Sequence, residues 1–145
     1  MSEGTEQSLI AQAQISIFRC DAQKFLMYNQ TMNNILIGKK GEEIACDYLI
    51  KKGYKIIERN KRFSRYCEID IIAQDKDSLV FCEVKTRKTN VCGSSLEAIT
   101  KFKYQNIKKG IFFYFQENPK YKKFRIDAIS IILEPKIDVT HLKNI

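Results

Sequence analysis

The sequence predicts an α/β protein, a mixed four-stranded sheet flanked by helices in the order αβββαβ. Three observations carry that expectation. The stretch Cys67 to Arg87, CEIDIIAQDKDSLVFCEVKTR, holds two Ile- and Val-rich runs on either side of a polar segment, Gln74 to Ser78. That is the pattern of two antiparallel strands joined by a turn. Apolar residues recur at helical spacing before it (Ile37, Gly41, Ile44, Ala45, Tyr48, Leu49) and after it (Leu96, Ile99, Ile107, Ile111). A helix following the third strand implies a right-handed crossover to a fourth strand lying parallel to it, and helices covering such a sheet make an α/β layer structure.

Taken in order, residues 1–34 are rich in Gln, Ser and Asn and carry no motif. They read as an extension, flexible or loosely docked, with a short helix around Leu9 to Phe18. The domain proper is expected over residues 35–145. Its first helix should run from about Ile35 to Lys52, capped by Asn34 and stopped at Gly53. Glu42 falls on the edge of the inward stripe. From the helix alone, a first-turn acid favouring the helix dipole explains it better than a functional role aimed at the hairpin's acidic end.

Tyr54 to Asn60 reads as the first strand, and Lys61 to Tyr66 as a basic loop. Centring the hairpin turn between Lys76 and Asp77 sets Asp70 opposite Glu83, and Glu68 opposite Lys85. By alternation, Ile69, Ile71, Ala73, Val80, Cys82 and Val84 share one wholly apolar face. Glu68, Asp70, Ile72, Phe81, Glu83 and Lys85 share the other. Opposed Cβ atoms lie roughly 4.5–5.5 Å apart, where two carboxylates repel by about 3 kcal/mol at an effective dielectric near 20. A divalent cation would turn that repulsion into a ligand set. A solvated strand-end salt network is the plain alternative.

Ser94-x-x-Glu97 reads as a capping box opening a second helix that continues to about Glu117, before Pro119. Lys103 interrupts its apolar stripe and must snorkel or find a charged partner. Lys120, Lys122, Lys123 and Arg125 lead into a last strand, Phe124 to Leu133. His141, the only histidine, falls in a polar tail and reads as incidental.

Composition sets the class of partner. The net charge is +8; Arg19 and Lys24 against Glu3, Glu6 and Asp21 leave residues 1–35 at −1, so residues 36–145 carry +9. A basic body around a local acidic cluster suits a polyanion handled through a metal, although a merely soluble basic protein has the same balance. The five cysteines include no C-x-x-C pair. They read as small apolar fillers in a reducing compartment, and with no transmembrane run or signal-peptide layout the expected location is cytoplasmic.

The motifs Gly38-x-x-Gly41-Glu42-x-x-Ala45-x-x-Tyr48-Leu49, Arg59-Asn60, Glu68-Ile69-Asp70-Ile71-Ile72, Val80-Phe81-Cys82-Glu83-Val84-Lys85-Thr86-Arg87, Glu97-Ala98-Ile99, Lys103 and Arg125-Ile126-Asp127 occur in one order. Together they resemble the YraN-like family of small bacterial proteins. That family is a branch of the PD-(D/E)XK nuclease superfamily, similar in fold to archaeal Holliday junction resolvases. The resemblance covers about residues 35–145, and Glu83-Val84-Lys85-Thr86-Arg87 is its most specific piece. It implies a signature of Asp70, Glu83 and Lys85, with Glu42 as the helix acid. The family usually has Gly where Cys67 stands, and its members tend to begin near Met32.

The resemblance implies Mg²⁺-dependent hydrolysis of phosphodiester bonds in DNA, with Mn²⁺ as a substitute. Asp70 and Glu83, with Glu42 directly or through water, would hold the metal, and Lys85 would orient the nucleophile or offset developing charge. Lys61, Arg62, Arg65, Arg87, Lys103, Lys120, Lys122, Lys123 and Arg125 would hold nucleic-acid phosphates without reading sequence. The partner expected is DNA, with no membrane, acting as a monomer or a homodimer. The alternative is a nucleic-acid-binding module that keeps the nuclease fold without turnover.

Overall fold

The computed structural model describes residues 3–65, 67–89 and 100–145, with backbone alone for residues 3–18 and 20. The elements are α1 (Glu3–Lys51), β1 (Lys55–Ser64), β2 (Cys67–Asp75), β3 (Ser78–Arg87), α2 (Lys101–Glu117), β4 (Phe124–Ile132) and β5 (Asp138–Leu142). The chain divides into two compact units, Met1–Leu36 and Ile37–Ile145.

The first unit is helical from Glu3 onward, which corrects the expected start at Ile35. Residues 5–34 contain no Gly or Pro. Their Gln, Ser and Asn each cost only a few tenths of a kcal/mol in a helix, so nothing in the stretch ends it. Asn34 therefore lies inside α1 and does not cap it.

In the second unit α1 buries Ala45, Cys46 and Leu49 and stops as expected at Gly53, whose φ is +87°. The Gly53 N–H bonds to the Ile50 carbonyl (2.9 Å) and the Tyr54 N–H to the Leu49 carbonyl (3.0 Å). This double bond pattern is a Schellman turn, and Leu49 and Tyr54 close it with the usual apolar contact.

The sheet has five strands in the order β1-β2-β3-β4-β5, antiparallel throughout except for β3 and β4, which run parallel. Two corrections follow. β1 continues through Lys61 and Arg62, which pair with Ile69 and Glu68, so that segment is strand and not loop. β5 adds an edge strand where a polar tail was expected; five short, largely exposed residues give little apolar alternation to read. The β2–β3 register is the expected one, with Ile71 opposite Cys82, Ile72 opposite Phe81 and Ala73 opposite Val80.

Each face of the sheet carries its own core. On the α1 side, Ala45, Cys46 and Leu49 pack on Ile71, Ala73, Val80, Cys82, Ile129 and Ile131. On the other, Ile107, Ile111 and Tyr114 of α2 pack on Ile69, Ile72, Leu79, Phe81 and Ile126. Ile69 was expected beside Ile71 but belongs to the opposite core. Strict alternation thus slips between them, at Asp70.

α2 starts at Lys101, with the Thr100 side chain accepting the Lys103 N–H. The expected capping box at Ser94 and Glu97, with Leu96 and Ile99, lies outside the described residues. Cys46, Cys67 and Cys82 are buried free thiols, as their apolar neighbours required.

Cys67 sits in ordinary strand backbone: the non-glycine residues with positive φ among those described are Asn60, Lys76 and Asn144. Its Sγ donates to the Asn106 carbonyl at 2.9 Å and fills space left by Gly110. A Cβ at Gly110 would come within 2.7 Å of that sulfur and 3.0 Å of a Phe63 ring carbon. Gly110→Ala should therefore destabilise the protein by about 1–2 kcal/mol despite the better helix propensity of Ala. In a Cys67→Ala background the same change should be neutral or stabilising. Urea denaturation of the four proteins of this cycle measures the coupling, and additive effects would refute the contact.

Candidate active site at the strand fork

The ladder between β2 and β3 ends at Ile71–Cys82, while β3 stays bound to β4 as far as Arg87. Beyond Cys82, then, β3 leaves β2. The backbone donor this exposes is taken by a side chain: the Val84 N–H bonds to Asp70 Oδ2 at 2.7 Å. Asp70 thus sits in the fork itself, with Glu83 beside it on the departing strand. The charge of Asp70 bears directly on the Glu83 carboxyl.

Burial pushes the Asp70 carboxyl up, opposed by the Val84 N–H and by Lys103. Burial and the charge of Asp70 push Glu83 further, to about 7. Its Oε2 is buried and makes no hydrogen bond, although Lys103 Nζ lies 3.1 Å away.

Lys103 enters from α2 and also donates to the Glu68 carbonyl at 3.4 Å. Burial works against its charge, but Glu83 and Asp70 outweigh that and hold the ammonium above its ordinary range. Its interrupted helical stripe is thereby explained: the charged partner it needed is the acid pair. Lys85, the motif lysine, is exposed on β3.

Glu42 approaches from α1. Burial raises its carboxyl, and so does the charge of Asp70. Asn60 Nδ2 donates to Glu42 Oε2 at 3.0 Å. Asn60 has φ +51°, a left-handed conformation that Asn tolerates better than most residues. The Arg59-Asn60 dipeptide was the only sequence signal for it. Gly41 lets α1 reach this position, since a Cβ there would lie 2.7 Å from Thr86 Cβ, an atom that no rotamer moves.

The structure thus brings together Asp70, Glu83, Glu42 and Lys103. It disperses the remaining basic candidates. Lys61 pairs with Glu58 (3.1 Å) and Glu117 (3.8 Å), Arg62 with Glu68, and Lys123 with Asp77. Arg125 is engaged by Asp127, Asp75 and the Tyr54 hydroxyl. Lys120 lies over the Tyr121 ring. Arg65 and Lys122 are exposed, and Arg87 is half-buried.

Among the described residues, no three Asp, Glu, His or Cys side chains stand close enough to cage an ion unaided. The donors nevertheless fit Mg²⁺, which binds through one or two carboxylates and retains several waters. Asp70 and Glu83 are all-oxygen donors, and the enclosed Glu83 Oε2, which already draws the Lys103 ammonium to 3.1 Å, is an acceptor suited to a cation. Glu42 would act through water.

A family model described as "Uncharacterised protein family UPF0102" matches residues 41–131. A UPF0102 protein of Syntrophomonas wolfei is 42% identical over 110 residues, 74% of this chain and 95% of that protein. One from Dictyoglomus thermophilum is 47% identical over 103 residues, 70% of this chain and 86% of its own length. A third, from Clostridium botulinum, is 48% identical over 99 residues, 67% of this chain and 80% of its own. No helix among the described residues is long and apolar enough to cross a membrane.

The raised Glu83 carboxyl fixes a pH dependence. Its value of about 7 lies above the ordinary 4.5, so the folded protein binds an extra proton between these values. The resulting stability is complete below pH 4.5 and is lost as pH rises through about 7. It amounts to roughly 3 kcal/mol at most. Asp127, held below the usual carboxylate range, acts oppositely only at more acid pH. Thermal melts should therefore show the protein more stable near pH 5.5 than at pH 8, and Glu83→Gln should flatten that slope. An unchanged slope in the variant would refute the assignment.

Proposed function

Because the chain belongs to the uncharacterised protein family UPF0102, the YraN family, and holds a half-buried acid pair at its strand fork, we propose that it is a metal-dependent nuclease acting on DNA. The observation that carries the reading is the acid pair itself: Glu83 Oε2 is enclosed beside Asp70 with the Lys103 ammonium, 3.1 Å away, as its cation. Two half-buried carboxylates held together cost stability unless cations offset them. Asp70 and Glu83 would hold Mg²⁺ or Mn²⁺, with Glu42 reaching it through water. A bound ion of this kind supplies an activated water and charge neutralisation at the phosphate.

The protein's own groups do the rest. Asp70 is oriented by the Val84 N–H and so keeps a fixed lone pair toward the fork. Asn60 orients Glu42. Lys85, exposed beside Glu83 in sequence, is placed to meet a phosphate arriving from solvent. The exposed cations Arg65, Lys120 and Lys122 would hold backbone phosphates, giving salt-dependent affinity with no base readout. A DNA substrate implies a cytoplasmic location.

One observation favours a second reading, a nucleic-acid-binding module without turnover. Lys103 already supplies a cation to the acid pair, which a binding protein could use permanently in place of a metal. The two readings separate in a cleavage assay over linear, flap and four-way DNA. The nuclease should cut at least one substrate in Mg²⁺ or Mn²⁺ and none in EDTA. Asp70→Asn, Glu83→Gln and Lys85→Ala should each lower the rate by about 100-fold or more. Binding without cutting under every metal would establish the second reading, and wild-type cutting by Glu83→Gln would remove the site.

A further inference from the structure

A second concavity lies at the other end of the hairpin. It is a pocket of about 390 Å³ between the end of α1, the start of β1, the β2–β3 turn and β5. Asp75, on its wall, is five residues along β2 from Asp70, on the order of 17 Å at the usual strand rise. The pocket is therefore separate from the acid pair.

Three features define its chemistry. Lys52, Lys76 and Lys143 line it and form no ion pair among the described residues. Asp75, the acid in the wall, pairs with Arg125 at 2.9 Å, a guanidinium it shares with Asp127. Arg125 and the three lysines outnumber these two acids, so the surplus charge is positive and suits an anionic ligand. The remaining walls are aromatic: Tyr48 and Tyr54, with Lys52 Nζ 5.7 Å from the first ring centre and Lys143 Nζ 5.6 Å from the second.

The third feature is His141, whose side chain is 4% exposed yet reaches the pocket. Its Nε2 lies 2.9 Å from Oδ2 of Asp127, a carboxylate with no exposure. The same carboxylate accepts the Asn144 N–H at 3.0 Å and Arg125 Nε at 3.1 Å. Since Asp127 is ionised and only accepts, Nε2 must carry the hydrogen and Nδ1 is the nitrogen left over. Tyr48 meets the ring edge-on, with centres 5.7 Å apart. An imidazole so fixed, in a cationic pocket walled by aromatic rings, is suited to a phosphate joined to a flat ring.

We propose that this pocket binds a nucleotide phosphate, presented either by a free nucleotide or by the phosphorylated end of a nucleic-acid strand. The site takes no part in holding a metal, and the proposal does not depend on cleavage at the fork.

His141 is the only histidine in the chain, so its imidazole signals report on the pocket without assignment ambiguity. The experiment follows them by long-range ¹H–¹⁵N NMR at constant ionic strength. The titrants are inorganic phosphate, a nucleoside monophosphate, and a trinucleotide with either a 5′-phosphate or a 5′-hydroxyl. A saturable shift with a midpoint near or below about 1 mM is expected for at least one nucleotide phosphate, and at least tenfold weaker binding for the 5′-hydroxyl strand. Preference for the monophosphate identifies a free nucleotide, and preference for the phosphorylated trinucleotide a strand end. The exposed pair Lys52→Ala and Lys143→Ala should raise the midpoint at least tenfold, while Lys109→Ala, at an exposed lysine of α2, leaves it unchanged. A linear, unsaturated shift with every titrant would overturn the proposal. So would equal weakening by Lys109→Ala, which would mark diffuse surface charge.

Discussion

Two carboxylates that cannot both be comfortable set the terms for everything around the fork. Burial raises the cost of either charge, the charge of Asp70 bears on Glu83, and both carboxyls are held above their ordinary range. Each neighbouring element answers that constraint. β3 separates from β2 beyond Cys82, so Asp70 can take a backbone donor that a regular ladder would have used. The departing half of β3 would be an unpaired edge if β4 did not accompany it in parallel to Arg87. The crossover helix that makes such a parallel neighbour topologically feasible is also the element that delivers Lys103. Sheet topology and site chemistry are consequences of the same separation.

A second buried carboxylate shows the contrast. Asp127 lies in β4 with no exposure, but it is matched by Arg125, His141 and the Asn144 N–H, and these hold its carboxyl below the usual range despite burial. The acid of β4 is met by three donors, whereas the acid of β3 has the Lys103 ammonium to set against the charge of Asp70. β5 exists partly to complete that match, since it supplies His141. Arg125, which a sequence reading assigns to phosphate, is engaged here on three sides.

What could be read from the chain was whatever local periodicity encodes. The period-two pattern and the polar turn fixed the pairing of Ile71 with Cys82, and with it the approach of Asp70 to Glu83. Helical spacing placed Ile107 and Ile111 in a core. The partner of Lys103 was unreadable because it lies on another element: spacing showed only that a charge interrupted an apolar stripe. Asn60 was hidden for a different reason, as its role depends on a left-handed backbone that no neighbouring residue announces. The slip that sends Ile69 and Ile71 to opposite cores is a property of the fork and not of the strand's own pattern. α1 began far earlier than expected because a weak helix former is not a stop signal.

The contact of Cys67 with Gly110 links two distant positions in the chain. The sulfur occupies room that any side chain on the facing turn of α2 would need. The two positions are therefore not independent. A residue larger than glycine at 110 excludes sulfur at 67, and a residue smaller than cysteine at 67 leaves a gap that only position 110 could fill. What this seam between helix and sheet fixes is a volume shared by two elements, not the identity of either residue.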